Sequence, residues 1–150
     1  MSTPQLYCTF FLKDFMFGIE VQAIQEVIRY QEMTAIPLAP GALRGLINLR
    51  GQIVTAIDLR TRFGLPPRDG DALPTNVIVR TSEGAVSLLV DEIGDVVEVD
   101  SALYERPPET LDRTARELVT GVYKLKHHLL LILDVAVTTT VVGALHETHT

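Results

Sequence analysis

The sequence predicts an all-β fold, and three observations predict it. Hydrophobic residues make up 47% of the 150 and charged residues 21%, the balance of a chain that packs a core. Short aliphatic, β-branched and aromatic runs recur along nearly the whole length, each bounded by glycine, proline or charged turn residues. Only one or two short segments show a helical period. The runs number about ten, more than one SH3-sized barrel uses, so two small barrels sharing a hydrophobic core are expected. Residues 1–150 would then form a single unit in which neither barrel is stable alone.

The elements follow in order. Residues 6–12 are apolar and aromatic, Lys13 and Asp14 turn the chain, and residues 15–20 return as the second arm of a hairpin. In residues 21–29 the period changes: Val21, Ile24, Val27 and Ile28 fall on one stripe of a short helix. Pro37 and Pro40 end that segment, because proline lacks a donor and restrains the residue before it. Residues 46–49 and 53–59 are strands around Arg50, Gly51 and Gln52, where Gly51 supplies the positive φ of a tight reversal. The longest loop spans residues 64–71. Strands follow at 76–81, 85–90 and 96–99, then a polar stretch after Pro107 and Pro108 with room for one helical turn. Residues 119–125 and 129–135 close the pattern around Lys126, His127 and His128. Residues 138–150 are polar enough to fray, and the β-branched run 135–140 is poor in helix formers.

Charge excludes some functions. The net charge of −6 is the wrong sign for a chain that binds nucleic acid through its bulk field. Its distribution is polarised: Arg44, Arg50, Arg60, Arg62 and Arg68 share their segment with Asp58 alone among acids. Nine acids between Glu83 and Asp112 are opposed only by Arg106. Such opposition suits oriented docking to a protein partner. The aromatic cluster Phe10, Phe11, Phe15 and Phe17 reads as core and is separate from the arginines, so a base-stacking platform in a basic groove is the weaker reading. No apolar run reaches the roughly 18 residues of a membrane span, and the start lacks a secretory pattern; a cytoplasmic location without membrane insertion is expected.

Catalytic motifs are missing. There is no phosphate-cradling glycine loop ending in Lys-Ser/Thr, and Ser82, Ser87 and Ser101 lie outside any nucleophile elbow. Cys8 sits in an apolar run as filler and cannot form an internal disulfide. His127 and His128 are adjacent and point apart, while His146, Glu147 and His149 lie in the tail. Asp91, Glu92 and Asp95 form the best carboxylate cluster and read as an acidic surface. Neither enzyme activity, metal nor cofactor is expected.

One segment is more specific. Residues 17–59 contain Phe-Gly-Ile-Glu-Val, Gln-Glu-Val, Ile-Pro-x-x-Pro, Gly-x-x-Asn-Leu-Arg-Gly and Asp-Leu in that order. With Val90-Asp91, Val96, Gly121 and Leu133-Asp134 further on, this order and spacing resemble the CheW-like family of chemotaxis coupling proteins over residues 6–136. The resemblance implies two intertwined five-stranded SH3-like barrels around a joint core. It implies a non-catalytic adaptor that links the cytoplasmic tips of chemoreceptors to the histidine kinase CheA. A relative serving a pilus-motility or gene-regulation array would carry the same pattern. The implied interaction loop is Gly45, Asn48, Leu49, Arg50 and Gly51, with Arg50 presenting a planar fork of donors. Ile24, Glu26 and Val27 would flank a receptor groove faced by Val90, Asp91, Val96 and Val97. The competing assignments are core packing for the apolar members, and for Arg50 an internal ion pair with Glu26 or Asp58. Departures from the family are Thr55 where proline is usual, and Lys126-His127-His128 in place of a glycine-containing turn.

Overall fold

The computed structural model describes residues 3–39 and 41–142. Ten strands form two five-stranded sheets. The chain runs β1 (Pro4–Leu12), β2 (Phe15–Glu20), β3 (Ile24–Ile28), β4 (Leu43–Leu49), β5 (Gln52–Asp58) and α1 (Leu59–Arg62). It continues with β6 (Thr75–Thr81), β7 (Gly84–Val90), β8 (Glu92–Asp100), α2 (Arg113–Leu118), β9 (Val119–Lys124), β10 (Leu129–Leu133) and α3 (Val135–Thr138). One sheet has the order β8-β1-β2-β10-β9 and the other β3-β6-β7-β5-β4.

The two orders are one pattern used twice. In each sheet an antiparallel hairpin (β1–β2 or β6–β7) pairs in parallel with the last strand of a second antiparallel pair (β10 or β5). Each sheet nearly closes: the chain after β3 returns to bridge Thr34 to Leu46 of β4, and the chain after β8 bridges Glu105 to Val122 of β9. The correspondence reaches single residues. A bulge separates Leu43 from Gly45 in β4, and the matching irregularity lies between Gly121 and Val119 in β9. Asp58 N–H donates to the Ala42 carbonyl and Asp134 N–H to the Leu118 carbonyl, both at 2.8 Å. The first half, β1 to α1, thus repeats as β6 to α3. Each half lends its leading hairpin to the other half's barrel.

That exchange explains the core. The largest apolar cluster draws on both sheets: Phe10 and Phe17 stack at 5.5 Å, Phe63 joins Phe17 at 4.8 Å, and Val77, Val79, Leu88 and Val90 pack with them. Each barrel also has a smaller interior, Tyr7, Met16, Tyr123, Leu130 and Ile132 in one and Ile47, Leu49, Val54 and Ile78 in the other. At about 1.5–3 kcal/mol per fully buried large side chain, the joint cluster holds most of the hydrophobic stabilisation.

Four expectations are corrected. Residues 21–29 are not a helix: a 3-10 turn at Val21–Ala23 leads directly into β3, whose pairing with β6 overrides the local period. Residues 135–138 are helical despite their β-branching, because Asp134 caps them by accepting from Val137 N–H at 3.1 Å. Thr138, Thr139 and Val142 are buried, so the packed chain extends beyond 138; residues 143–150, with His146, Glu147 and His149, lie outside the described part. Phe15 is exposed and stands apart from the stacked phenylalanines.

Candidate functional site: a bridged hairpin tip on one barrel

The β4–β5 hairpin reverses through Arg50 and Gly51, with φ of 51° and 87°. Positive φ at both central residues matches the right-handed twist of the flanking strands, and glycine at the second position removes the Cβ conflict. Asn48 fixes the turn by accepting the Gly51 N–H on Oδ1 at 2.8 Å. The Arg50 side chain projects across the open end of its barrel and donates through Nη2 to Glu26 Oε2 on β3. β3 and β4 are the two outer strands of that sheet, so this contact spans its edges. The arginine's bond holds the Glu26 carboxyl below the usual carboxylate range.

The internal partner expected as one alternative for Arg50 is therefore Glu26, while Asp58 is occupied elsewhere. The pair remains a surface feature: the Arg50 side chain keeps 67% of its exposure and Glu26 24%. A guanidinium carries five N–H donors, and only Nη2 is engaged within the described residues. Val27, the residue after Glu26 on β3, and Ile53, three positions after Arg50 on β5, are exposed apolar residues.

The remaining residues anticipated for binding divide by place. Gly45 and Leu49 are buried below the tip, and Ile24 packs against the joint core. At Gly45 a Cβ would lie 2.7 Å from the Thr34 carbonyl oxygen, so its small size admits the chain crossing from β3. Val90 is fully buried in the joint core and shapes the site only from beneath. Val96 and Val97 belong to the other barrel: Val96 is exposed opposite Cys8, while Val97 lies opposite Tyr7 against that barrel's interior. In the internal repeat β8 corresponds to β3, with Ile93 opposite Phe10 as Ile24 is opposite Val79. The anticipated set is thus split over equivalent edges of two barrels.

Asp91 is not part of an open acidic surface. Burial would raise its pKa, but hydrogen bonds from Arg60 and the Lys13 N–H, with the nearby Arg68 charge, hold it below the ordinary value. Arg60 Nε and Nη2 reach Asp91 at 2.9 and 2.5 Å, and Lys13 N–H donates at 2.7 Å. Arg68 Nη1 binds both oxygens of buried Asp58 at 3.0 Å, and its Nη2 donates to the Leu89 carbonyl at 3.1 Å. Arg60 also ties the Pro66 carbonyl at 3.0 Å. The arginine-rich and acid-rich segments thus meet within the molecule and pin the loop between α1 and β6 across both sheets. Arg60 and Arg68 went unassigned in the sequence, where nothing local distinguishes a clamp from a solvated charge.

The residues 6–140 match the protein family described as "CheW-like domain". The chain belongs to the CheW family. It is 29% identical over 131 residues to "Chemotaxis protein CheW" of Treponema pallidum, covering 85% of this chain and 77% of that one. It is also 29% identical over 134 residues to the protein of the same description from Klebsiella aerogenes, covering 89% and 81%. The solved structure of the scaffolding protein TtCheW from Thermoanaerobacter tengcongensis superposes with a TM-score of 0.81 at 29% identity, covering 91% of this chain and 92% of that one. The two five-stranded sheets are the twin SH3-like barrels of CheW proteins. Among the described residues no helix is long and apolar enough to cross a membrane, and no group of three or more His, Cys, Asp or Glu is placed to hold a metal ion.

Proposed function

We propose that this CheW-family chain is a non-catalytic scaffold that couples chemoreceptor tips to a CheA-type histidine kinase in the cytoplasm. The observation that carries the reading is the hairpin tip. Arg50 is locked into the rare left-handed conformation, braced by one bond to Glu26, and still presents unused donors, while Ile53 and Val27 on the adjoining strands are exposed. A guanidinium held this way offers directed hydrogen bonds to carboxylates or carbonyls at little further loss of side-chain freedom. Apolar positions on β3 and β8 supply contact surface for a receptor helix. The pinned loop keeps the two barrels in fixed relation, which a scaffold touching different partners requires.

The test is co-purification with a CheA-type kinase and a soluble receptor fragment, followed by kinase activity with and without receptor. Arg50→Glu sets like charges against each other at Glu26 and reverses the charge shown to the partner. Capture falls by more than about tenfold, the scale of removing a charged interface contact, while the thermal midpoint stays near that of the native chain. Unchanged capture with a lowered midpoint would mean that Arg50 only holds the barrel together.

A further inference from the structure

Between β3 and β4 the chain holds a turn whose geometry and composition do not suit each other. The Ile36 carbonyl accepts the Ala39 N–H at 3.4 Å, and Ile36 and Ala39 both pack against the joint core. Between them Pro37 and Leu38 are exposed, with Leu38 at a φ of 58°. Proline in second place and a positive φ in third is the arrangement of a type II turn, whose third position belongs to glycine or asparagine. A leucine there crowds its Cβ against the backbone and costs stability. Its side chain recovers nothing within the molecule, because it is wholly exposed.

The internal repeat shows that the fold does not demand this strain. The matching turn of the second half spans residues 108–111, where the Leu111 N–H donates to the Pro108 carbonyl at 3.1 Å and Leu111 packs against the joint core as Ala39 does. Its central residues are Glu109 and Thr110, and neither has a positive φ. One half thus closes the turn with polar residues in ordinary conformations, and the other with an exposed leucine in a costly one. The surroundings of Leu38 are also unusual. Residues 33–43 contain no charged side chain, although Thr34, Ala35, Pro37, Leu38 and Gly41 are exposed. Exposed surface without charge has the composition of the centre of a protein interface. Thr34 pairs antiparallel with Leu46, so the turn lies toward the Leu43 end of β4. That strand puts roughly 20 Å between it and the Arg50 tip.

We propose that Leu38 is an anchor for the CheA-type kinase, its side chain entering an apolar pocket on that partner. The inference rests on the coupling role proposed above and adds to it a contact separate from the hairpin tip. Shape assigns the partner. A receptor helix is convex and needs a groove on this chain, whereas a turn tip is itself convex and needs a concave surface on a folded domain. A leucine held in place by Pro37 and by a turn fastened to the core at both ends enters such a pocket with little loss of backbone freedom. The stability given up at Leu38 is then recovered on binding, which is where strained residues find their use.

The experiment compares the full-length native chain with Leu38→Asn, which suits the left-handed conformation but is polar, and Leu38→Met, which stays apolar. Affinities for a CheA-type kinase and for a soluble receptor fragment are measured separately, and each variant is unfolded in urea. Leu38→Asn is expected to be at least as stable as the native chain, yet to bind the kinase about ten- to a hundredfold more weakly, the worth of burying one leucine side chain. Leu38→Met keeps most of the kinase affinity, and both variants bind the receptor fragment as the native chain does. A leucine with a purely structural role would lose affinity only together with stability. The proposal is overturned if Leu38→Asn binds the kinase like the native chain, if Leu38→Met is as weak as Leu38→Asn, or if the loss falls on the receptor fragment instead. Failure of the native chain itself to bind the kinase would refute the coupling reading and this contact with it, whereas native binding undiminished by Leu38→Asn would refute the contact alone.

Discussion

Gly45 and Gly121 occupy equivalent positions in the internal repeat, yet replacing each by alanine meets a different neighbour. A Cβ at Gly45 falls 2.7 Å from the Thr34 carbonyl oxygen and 2.9 Å from Met33 Cβ. The first is backbone, and it belongs to the bridge in which Thr34 and Leu46 exchange two hydrogen bonds of 2.8 Å. Relieving the contact means moving that strand. Overpacking costs about 1–3 kcal/mol, and weakening two backbone bonds adds about 0.5–1.5 each, so Gly45→Ala is expected to lose about 2–6 kcal/mol. For a chain of 150 residues this lowers the thermal midpoint by about 4–24 °C. At Gly121 the Cβ meets the far end of the half-exposed Tyr104 side chain, which can swing outward, so Gly121→Ala loses clearly less. Circular dichroism melts and urea titrations of both variants decide it. Equal stability of Gly45→Ala and the native chain, or a larger loss at Gly121, would refute the account of how the chain crossing closes the barrel.

Other outcomes follow from the same geometry. The Asp91 carboxyl has a lowered folded pKa, so its stabilisation is present above the unfolded value of about 4 and is lost as pH falls through the folded value. Asp91→Asn is therefore less stable than the native chain at pH 7, and the gap narrows below about pH 4; a constant gap in urea titrations across that range would contradict it. Leu38 has φ of 58° with its side chain wholly exposed, and Leu38→Gly removes that strain, raising stability by about 1 kcal/mol in the same titrations. Fragments 1–68 and 69–150 give no cooperative melt separately and regain native-like dichroism when mixed, because each half supplies only part of either barrel. A cooperative melt of one fragment alone would show that its barrel does not need the exchanged hairpin.

How much of this was legible in the sequence depends on whether the deciding contact is local. The β1–β2 hairpin, the Arg50-Gly51 turn and the strands β6 and β7 are set by alternation and turn residues a few positions apart, and they stand where the sequence puts them. β3 misled because Ile24, Val27 and Ile28 fit a helical stripe over so few residues that pairing with β6 decides the outcome. α3 misled in the opposite sense: β-branching costs a short helix little once Asp134 caps it and Arg62 donates to the Val137 and Thr138 carbonyls. The site shows the same division. The tip motif was readable as Asn48 to Gly51, but the choice of Glu26 over Asp58 as partner for Arg50 depends on which strands form the sheet edges.

The exchanged hairpins bear on how a small adaptor transmits contact. β2 passes into β3 and β7 into β8 at the two places where the chain leaves one barrel for the other, and Asp91 stands at the second crossing. Its side chain gathers Arg60 from the end of the β4–β5 unit and the Lys13 N–H from the β1–β2 turn. One carboxylate therefore ties together a hairpin of one barrel and the helix that follows the other barrel's Arg50 strand pair. At the first crossing Arg80 of β6 donates to the Gln22 and Ile24 carbonyls and fixes the chain as it enters β3. A partner pressing on the hairpin tip thus acts on an element linked by side-chain bonds to the opposite barrel, and displacement of one barrel requires breaking charge-assisted bonds. The rigidity that the proposed coupling would need is a consequence of the internal repeat, because the exchanged hairpins place two barrel crossings where side chains can bridge them.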